Sequence, residues 1–219
     1  MKFNDREFDA AIFDFDGTLA DSMWVWDYVD RRWLEKRNIA YSEEYAETIA
    51  VLGFEGGADF VIDFFNLDEK PEDIIEEWKR DAYDGYASGV KLKAGAADYL
   101  RTLHAQGVPL GIATSLQRHL LEPCLEHNGV LELFSAICVC DELKCGGKSN
   151  PTVYLETARQ LGVPVQRCVI FEDVVTAARS AKQTGAYVVG VYDSHKQQAT
   201  DELRQIVDSF IEGFENLAT

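Results

Sequence analysis

Two aspartates, Asp14 and Asp16, stand two positions apart where an apolar stretch that begins at Phe8 runs into Gly17 and Thr18. The stretch is short and ends abruptly, which indicates a buried strand followed by a tight turn. Two carboxylates in one small space repel, and one of their pKa values must rise unless a cation joins them. Carboxylate oxygens suit Mg²⁺, which also binds phosphate oxygens. An aspartate beside such a cation can attack phosphorus, and a second can protonate the leaving oxygen and later activate water.

Three more positions carry reactive side chains. Thr114 and Ser115 end an apolar run before a helical pattern, where a hydroxyl and free backbone N–H groups can bind phosphate. Lys148 lies in a glycine-rich loop, where a cation can neutralise a phosphoryl group or orient a carboxylate. Glu172 and Asp173 follow a buried strand, where paired acids are costly unless a metal or hydrogen bonds satisfy them. Taken singly, each could be an ordinary helix cap or a surface lysine. Lys148 is the only cation that we expect near the acidic residues.

From residue 94 onward, predicted helices and strands alternate, and these are the elements that must position the reactive residues. Strands are predicted at 108–114, 134–140, 167–171, 186–192 and 209–211, and helices at 94–106, 116–127, 151–161 with Asn150 as its cap, 174–183 and 201–207. Strands that alternate with helices indicate a parallel sheet with helices on both faces. In such sheets reactive residues gather at the carboxyl ends of the strands.

Residues 20–90 are predicted to be helical, with no strand and with a flexible break at residues 52–57. They interrupt the alternation directly after the first strand, which indicates an inserted helical domain. We therefore expect a catalytic core formed by 1–19 and 91–219, with residues 20–90 as a cap that closes over the reactive residues.

Three aromatic residues of the predicted cap, Trp24, Trp26 and Phe54, could contact a substrate. Packing in the core of the cap would explain them equally well. The cap chooses the substrate in this arrangement, and the sequence does not identify it.

The first motif resembles that of the haloacid dehalogenase-like hydrolases in a run of residues: Asp14, Asp16, Gly17, Thr18, Leu19, Asp21 and Ser22. The second, third and fourth motifs of that family are similar to Thr114-Ser115, to the loop around Lys148 and to Glu172-Asp173. They occur in family order between about Asp9 and Val191. The departures are Ser149 in place of a proline, Val174 in place of a serine and Ala177 in place of a glycine.

The resemblance implies a Rossmann-like parallel sheet with an inserted helical cap, as in phosphoglycolate phosphatase and β-phosphoglucomutase relatives. It implies that Asp14 is the nucleophile and that Asp16 is the acid and base. It also implies Mg²⁺ as cofactor and a small phosphorylated metabolite as substrate. The residues implied to bind phosphate are Thr114, Ser115 and Lys148, and those implied to hold the metal are Asp14, Asp16 through its backbone carbonyl, Glu172 and Asp173.

Four functions remain open on this basis. A Mg²⁺-dependent phosphatase would act through an aspartyl-phosphate. A sugar phosphomutase of the β-phosphoglucomutase type would need a second phosphate-binding site in the cap. A haloacid dehalogenase needs neither a metal nor a second aspartate, so Asp16, Glu172 and Asp173 argue against it. A non-catalytic binding or regulatory protein on this fold would not need the reactive positions, although a fold alone never proves activity.

Two features distinguish hydrolysis from mutase chemistry. The mutase relatives place an arginine in the loop after the second cap helix and a histidine shortly after the first motif. Here the loop, residues 52–59, contains no lysine or arginine, and Trp26 stands at the position of the histidine. Arg31, Arg32 and Arg37 remain in the cap and could reach inward. The sequence therefore favours hydrolysis.

Composition excludes several partners. The net charge of −17 argues against nucleic acid and against anionic membrane surfaces. No apolar run is long enough to span a bilayer, and the first residues lack a signal-peptide core, so we expect a cytoplasmic protein.

The cysteines, 5 in number, lack the paired spacing of a zinc site, so we expect reduced thiols. The oligomeric state cannot be predicted from the sequence.

Overall fold

The computed structural model describes residues 1–49, 52 and 54–217. The chain divides into two compact units. The first, which we call the sheet unit, consists of Met1–Met23 and Val90–Thr219, and the second, the helical unit, consists of Trp24–Gly89. The predicted role of the helical residues as a cap stays a prediction.

The elements are numbered in chain order. The strands are β1 (Lys2–Phe3), β2 (Arg6–Glu7), β3 (Ala10–Phe13), β4 (Ala20–Asp21), β5 (Lys91–Leu92), β6 (Leu110–Thr114), β7 (Ala136–Val139), β8 (Cys168–Glu172), β9 (Tyr187–Val191) and β10 (Ser209–Ile211). The helices are α1 (Trp24–Lys36), α2 (Glu43–Ile49), α3 (Phe54–Phe65), α4 (Pro71–Asp84), α5 (Ala96–Ala105), α6 (Arg118–His127), α7 (Thr152–Leu161), α8 (Val175–Gln183) and α9 (Thr200–Ile206).

A six-stranded parallel sheet in the order β10-β9-β8-β3-β6-β7 forms the centre of the sheet unit. Every residue of β3, β6, β8 and β9 is buried, as expected for parallel strands covered on both faces. Helices α5, α7 and α8 pack against the sheet. These observations confirm the predicted fold class.

Strand β3 lies between β8 and β6, and Phe13 is paired with Phe171 on one side and with Ile112 on the other. Because the three strands run in the same direction, their carboxyl ends lie at the same edge of the sheet. The residues that follow them, which the sequence singled out, are therefore neighbours in space.

Four helices of the sheet unit begin one or two residues later than predicted, and in two of them, α6 and α7, side chains cap the preceding turn. Helix α6 begins at Arg118 and not at Leu116, whose N–H donates to Thr114 Oγ1 at 3.0 Å. Helix α7 begins at Thr152, whose N–H donates to Asn150 Oδ1 at 3.1 Å. Such local side-chain bonds offer the backbone an alternative to the helix.

The prediction that residues 20–90 contain no strand is wrong at one end. Ala20 and Asp21 form β4, which pairs antiparallel with β5 in the sheet unit. The short hairpin of β1 and β2 was not predicted either. Strands of two residues are too short to show a periodic hydrophobic pattern.

In the helical unit, the predicted break at residues 52–57 is wrong for its second half, because α3 already begins at Phe54. Gly57 is helical, and a Cβ there would lie 3.0 Å from Ile49 Cδ1 and 3.4 Å from a ring carbon of Trp78. The glycine therefore permits close packing of α3 and does not interrupt it. Residues 50, 51 and 53 lie outside the described part of the chain.

The core of the helical unit is aromatic, with Trp33, Tyr45 and Trp78 buried. All 4 tryptophans of the chain belong to this unit. Among the described residues, no helix is long and apolar enough to cross a membrane.

Candidate active site

The end of β3 and the end of β8 bring three carboxylates together. The backbone N–H of Asp14 donates to Phe171 O at 3.0 Å, which extends the ladder between the two strands by one residue. Asp14, Glu172 and Asp173 each offer one oxygen, and these oxygens lie within 4.8 Å of one another. All three side chains are buried.

The three carboxyl groups have raised pKa values. Burial, reinforced by Glu172, raises the pKa of Asp14 to about 6. Burial and the charge of Asp14 likewise raise the pKa of Asp173 to about 6, and burial raises the pKa of Glu172. Carboxylates this close and this buried need nearby positive charge to remain ionised at neutral pH.

Lys148 supplies part of that charge. Its Nζ contacts Asp14 Oδ1, and it lies 2.5 Å from Glu172 Oε1. Burial alone would lower the pKa of the Lys148 ammonium, but Asp14 and Glu172 raise it above its ordinary value. The ammonium is therefore charged and bridges two of the three carboxylates. The hydroxyl of Tyr154 also donates to Glu172 Oε1, at 2.6 Å.

The second oxygen of Glu172 shows what the group can bind. Glu172 Oε2 is buried and has no hydrogen-bond partner among the described residues. A buried carboxylate oxygen without a partner, beside two further carboxylates, is suited to binding a hard cation. An all-oxygen set of this kind fits Mg²⁺ and does not fit a soft metal.

The turn after β3 brings Thr18 into contact with the carboxylate group, whereas the Asp16 carboxylate is bonded to Ser22. Gly17 has φ of +80°, and a Cβ there would collide with Asp173 Oδ2. Thr18 Oγ1 lies 3.0 Å from Asp173 Oδ1 and 3.4 Å from Asp14 Oδ2. Ser22 donates to Asp16 Oδ1 at 2.6 Å. The Asp16 carboxylate is not in the group of three, so the carbonyl of Asp16 as a metal ligand stays a prediction.

The predicted phosphate-binding residues Thr114 and Ser115, at the carboxyl end of β6 and directly after it, lie at the same edge of the sheet. The Thr114 side chain is buried, and its oxygen accepts the N–H of Leu116. Ser115 is exposed, and its hydroxyl lies 3.6 Å from Cys140 Sγ. Their binding of phosphate stays a prediction.

The expectation that Lys148 is the only cation near the acidic residues is wrong. Lys196 Nζ forms an ion pair with Asp173 Oδ2. Sequence reasoning also missed Tyr154 and the contact of Thr18 with Asp173. Thr18 belongs to the recognised motif and could have been singled out. Tyr154 stands on an ordinary buried helix face and Lys196 in no motif, so neither carried a signal.

Of the three aromatic residues predicted to contact a substrate, Trp26 and Phe54 line a cavity of about 300 Å³ inside the helical unit. Their rings meet edge to face, with centroids 5.9 Å apart. Asp30 and Trp78 also line the cavity. Trp24 packs against the ring of Tyr28 at 5.9 Å and is not among the residues that line the cavity.

A family model described as haloacid dehalogenase-like hydrolase matches residues 11–191. The chain belongs to this family. The match spans the residues of all four motifs recognised in the sequence.

Individual relatives agree with this assignment. A protein of Drosophila melanogaster named "Probable pseudouridine-5'-phosphatase" is 28% identical over 210 residues, which cover 93% of this chain and 90% of the relative. Hexitol phosphatase B of Escherichia coli K12 is 28% identical over 184 residues, which cover 81% of this chain and 80% of the relative. A crystal structure from Thermotoga maritima, titled as a "putative beta-phosphoglucomutase", has a TM-score of 0.83 at 22% identity and covers 96% of both chains. That likeness shows the haloacid dehalogenase-like fold.

Proposed function

We propose that this chain is a Mg²⁺-dependent phosphatase that hydrolyses a small phosphorylated metabolite through an aspartyl-phosphate on Asp14. Membership of the haloacid dehalogenase-like hydrolases and the curated phosphatase relatives make it a phosphoric monoester hydrolase. The requirement for Mg²⁺ and the aspartyl-phosphate intermediate are what we propose beyond this activity. The observation that carries them is the buried group of Asp14, Glu172 and Asp173 with Lys148 bridging two of its members.

The first half-reaction begins at Asp14. Because Lys148 contacts Asp14 Oδ1, the other oxygen, Oδ2, is the one that attacks phosphorus. A bond forms between Oδ2 and phosphorus while the ester bond from phosphorus to the leaving oxygen breaks, and Asp16 gives its proton to that oxygen. When bound, Mg²⁺ supplies positive charge that offsets the repulsion between the phosphoryl group and the carboxylates.

The second half-reaction restores the enzyme. Asp16, now a carboxylate, takes a proton from a water molecule, whose oxygen attacks phosphorus. The bond between Asp14 and phosphorus breaks, inorganic phosphate leaves, and Asp16 is again protonated. Ser22, which donates to Asp16 Oδ1 at 2.6 Å, holds the Asp16 carboxyl group in one orientation for both steps.

Pairing of three arginines of the helical unit, Arg31, Arg32 and Arg37, supports hydrolysis over transfer between two positions of a sugar. Arg31 is paired with Asp27 at 2.6 Å, and Arg32 with Asp81 at 3.2 Å. Arg37 is paired with Glu77 at 2.9 Å. Each of these three cations is thus engaged within the helical unit, and using one of them to bind a second phosphate would require breaking its pair.

The substrate class follows from the relatives. Their names specify phosphorylated small molecules, a nucleoside 5'-phosphate in one case and hexitol phosphates in another. We extend this to the present chain as a sugar phosphate or a metabolite of similar size.

Turnover of p-nitrophenyl phosphate with and without Mg²⁺ tests the proposal. Asp14→Asn should abolish turnover and leave the fold intact, because the amide cannot act as the nucleophile. The matched control is Asp9→Asn, which changes an exposed aspartate near the other end of the same strand. Full activity after exhaustive chelation, or activity of Asp14→Asn near that of the wild type, would overturn the proposal.

A second assay separates hydrolysis from mutase chemistry. The enzyme is incubated with β-glucose 1-phosphate and trace bisphosphate, and both free phosphate and glucose 6-phosphate are followed. Release of phosphate supports hydrolysis. Fast isomerisation with little phosphate release would assign the mutase activity instead.

A further inference from the structure

Lys196 is a second lysine that contacts the carboxylate group. It lies at a kink, with φ of −115° and ψ of 26°, within the short 3₁₀ segment Ser194–Ala199 that follows β9. Its Nζ pairs with Asp173 Oδ2, and its side chain is 28% exposed while that of Asp173 is fully buried. The lysine therefore reaches from the surface to a buried carboxylate of the site.

Local hydrogen bonds fix the backbone from which Lys196 extends. Asp193 Oδ1 accepts the N–H of His195 at 2.8 Å, and Asp193 O accepts the N–H of Lys196 at 3.1 Å. Lys93 pairs with Asp193 Oδ2 at 3.1 Å and donates to Tyr192 O at 2.5 Å. These bonds hold the backbone at Lys196, and its side chain extends from there to Asp173.

The two lysines divide the three carboxylates between them. Lys148 contacts Asp14 and Glu172, and Lys196 contacts Asp173. A buried carboxylate that loses its partner is strongly destabilising, so each ammonium stabilises the group. A divalent cation brings positive charge to the same oxygens.

Lys196 and a divalent cation would both bind the carboxylate of Asp173. Its Oδ1 faces Thr18 Oγ1 at 3.0 Å, and its Oδ2 is paired with Lys196. A cation that binds Asp173 must share or displace one of these partners. A hydroxyl can rotate and remain beside a cation as an oxygen ligand, whereas an ammonium is repelled by it.

We propose that Lys196 is a positioning residue that competes with the divalent cation for Asp173 and thereby weakens metal binding. The inference rests on the metal site of the proposed function. Lys196 keeps Asp173 neutralised before a cation arrives and leaves Oδ2 when the cation binds. Its positive charge lowers the affinity for the cation, so that the metal remains exchangeable.

The test is the affinity for Mg²⁺ alone, measured from the thermal unfolding of the full chain at graded MgCl₂ concentrations in phosphate-free buffer. Lys196→Met and Lys196→Gln remove the charge. Without Mg²⁺ both variants should melt below the wild type, and both should bind Mg²⁺ about tenfold more tightly. Lys196→Arg, which retains the charge, should stay within about twofold of the wild-type affinity.

Lys182→Met is the matched control. It removes one lysine from the same unit, where Lys182 pairs with Asp208 at 2.6 Å, and it should leave the Mg²⁺ affinity unchanged. On an Asp173→Asn background, Lys196→Met should no longer lower the melting temperature. Unchanged or weaker Mg²⁺ binding in both neutral variants overturns the inference, because a merely structural lysine gives that result.

The experiments distinguish failure of the Lys196 inference from failure of the proposed phosphatase activity. Mg²⁺-dependent turnover of p-nitrophenyl phosphate, together with an unaltered Mg²⁺ affinity in both neutral variants, leaves the phosphatase standing and removes the role of Lys196. A tighter Mg²⁺ site in those variants, with no phosphoester turned over by the wild type, supports the competition and removes the phosphatase.

Discussion

Tyr154 is a buried residue of the site whose hydroxyl donates to Glu172 Oε1, the same oxygen that Lys148 approaches. The two donors hold that oxygen, which leaves Glu172 Oε2 without a partner among the described residues. Partners of metal-binding carboxylates orient the ligand, and their loss typically weakens metal binding. In the proposed metal site, Tyr154 would therefore act on the cation through Glu172.

Tyr154→Phe should weaken Mg²⁺ binding about tenfold while the protein remains folded, because the phenyl ring keeps its packing against the sheet. The measurement is the Mg²⁺ concentration needed for half-maximal turnover, with the Mg²⁺-induced shift in melting temperature as an independent readout. Tyr187→Phe is the matched control, since its hydroxyl donates to Asp208 O at 3.4 Å in the same unit. An unaltered Mg²⁺ requirement in Tyr154→Phe would contradict the assignment.

At this scale the sequence predicted the residues that follow apolar strands, such as Asp14 and Asp173, because strand ends are visible in the hydrophobic pattern. It did not predict the contact of Thr18 with Asp173 or of Lys196 with Asp173. These pairs join residues far apart in the chain, and only the packing of the turn and the 3₁₀ segment brings them together.

At the scale of elements, the parallel strands were predictable since each is a short, continuously apolar run between turns. Their ends shifted by one or two residues, and α6 and α7 began later than predicted. The late starts of α6 and α7 arise where Thr114 and Asn150 accept backbone N–H groups. Hydrophobic periodicity does not register such bonds. The π-helical turn Gly85–Gly89 at the end of α4 likewise has no periodic signature.

Helix α1 carries a carboxyl group whose ionisation opposes folding. Asp30 lines the cavity of the helical unit, and its Oδ1 accepts the hydroxyl of Tyr45 at 2.9 Å. Burial raises the pKa of Asp30 to about 6, although the hydrogen bond from Tyr45 opposes the rise. A raised pKa in the folded state means that folding favours the protonated form. The contribution of Asp30 to the free energy of unfolding is therefore greatest below the ordinary pKa of 3.8 and falls as the pH rises through about 6.

Asp30→Asn should accordingly stabilise the protein at pH 8 by up to about 3 kcal/mol, with the gain vanishing near pH 4. The asparagine oxygen can still accept from Tyr45 and carries no charge. The free energy of unfolding in urea, measured at both pH values, gives the comparison. Glu35→Gln, an exposed change on the same helix, should show no such dependence on pH. An equal effect of Asp30→Asn at the two pH values would refute the prediction.

At the scale of the whole molecule, each unit has its own core. In the sheet unit, Phe13 stacks on Phe171 with ring centroids 4.6 Å apart, and Phe214 packs against both rings. In the helical unit, Trp33 meets Trp78 edge to face at 5.7 Å. The chain passes between the units twice, at Met23–Trp24 and at Gly89–Val90. All the carboxylates proposed to hold the metal belong to the sheet unit.

Mg²⁺ should therefore stabilise the two units unequally. A ligand that binds only the folded state suppresses opening of the structure that holds it. We expect slower amide hydrogen exchange in β3 and β8 when Mg²⁺ is added, with little change in α1 and α4. Hydrogen exchange read by mass spectrometry resolves these segments. Asp173→Asn serves as the control, and protection that rises only in the helical unit would contradict a metal site at the ends of β3 and β8.

The confinement of all 4 tryptophans to Trp24–Gly89 has a practical consequence. Indole emission from the unlabelled protein therefore originates in the helical unit, and the sheet unit contributes none. Trp26 is 39% exposed and Trp33 fully buried, so the emission combines a solvated and a shielded fluorophore. A spectral shift on adding a phosphate ester would then be an intrinsic optical signal of how the helical unit responds to chemistry carried by residues outside it.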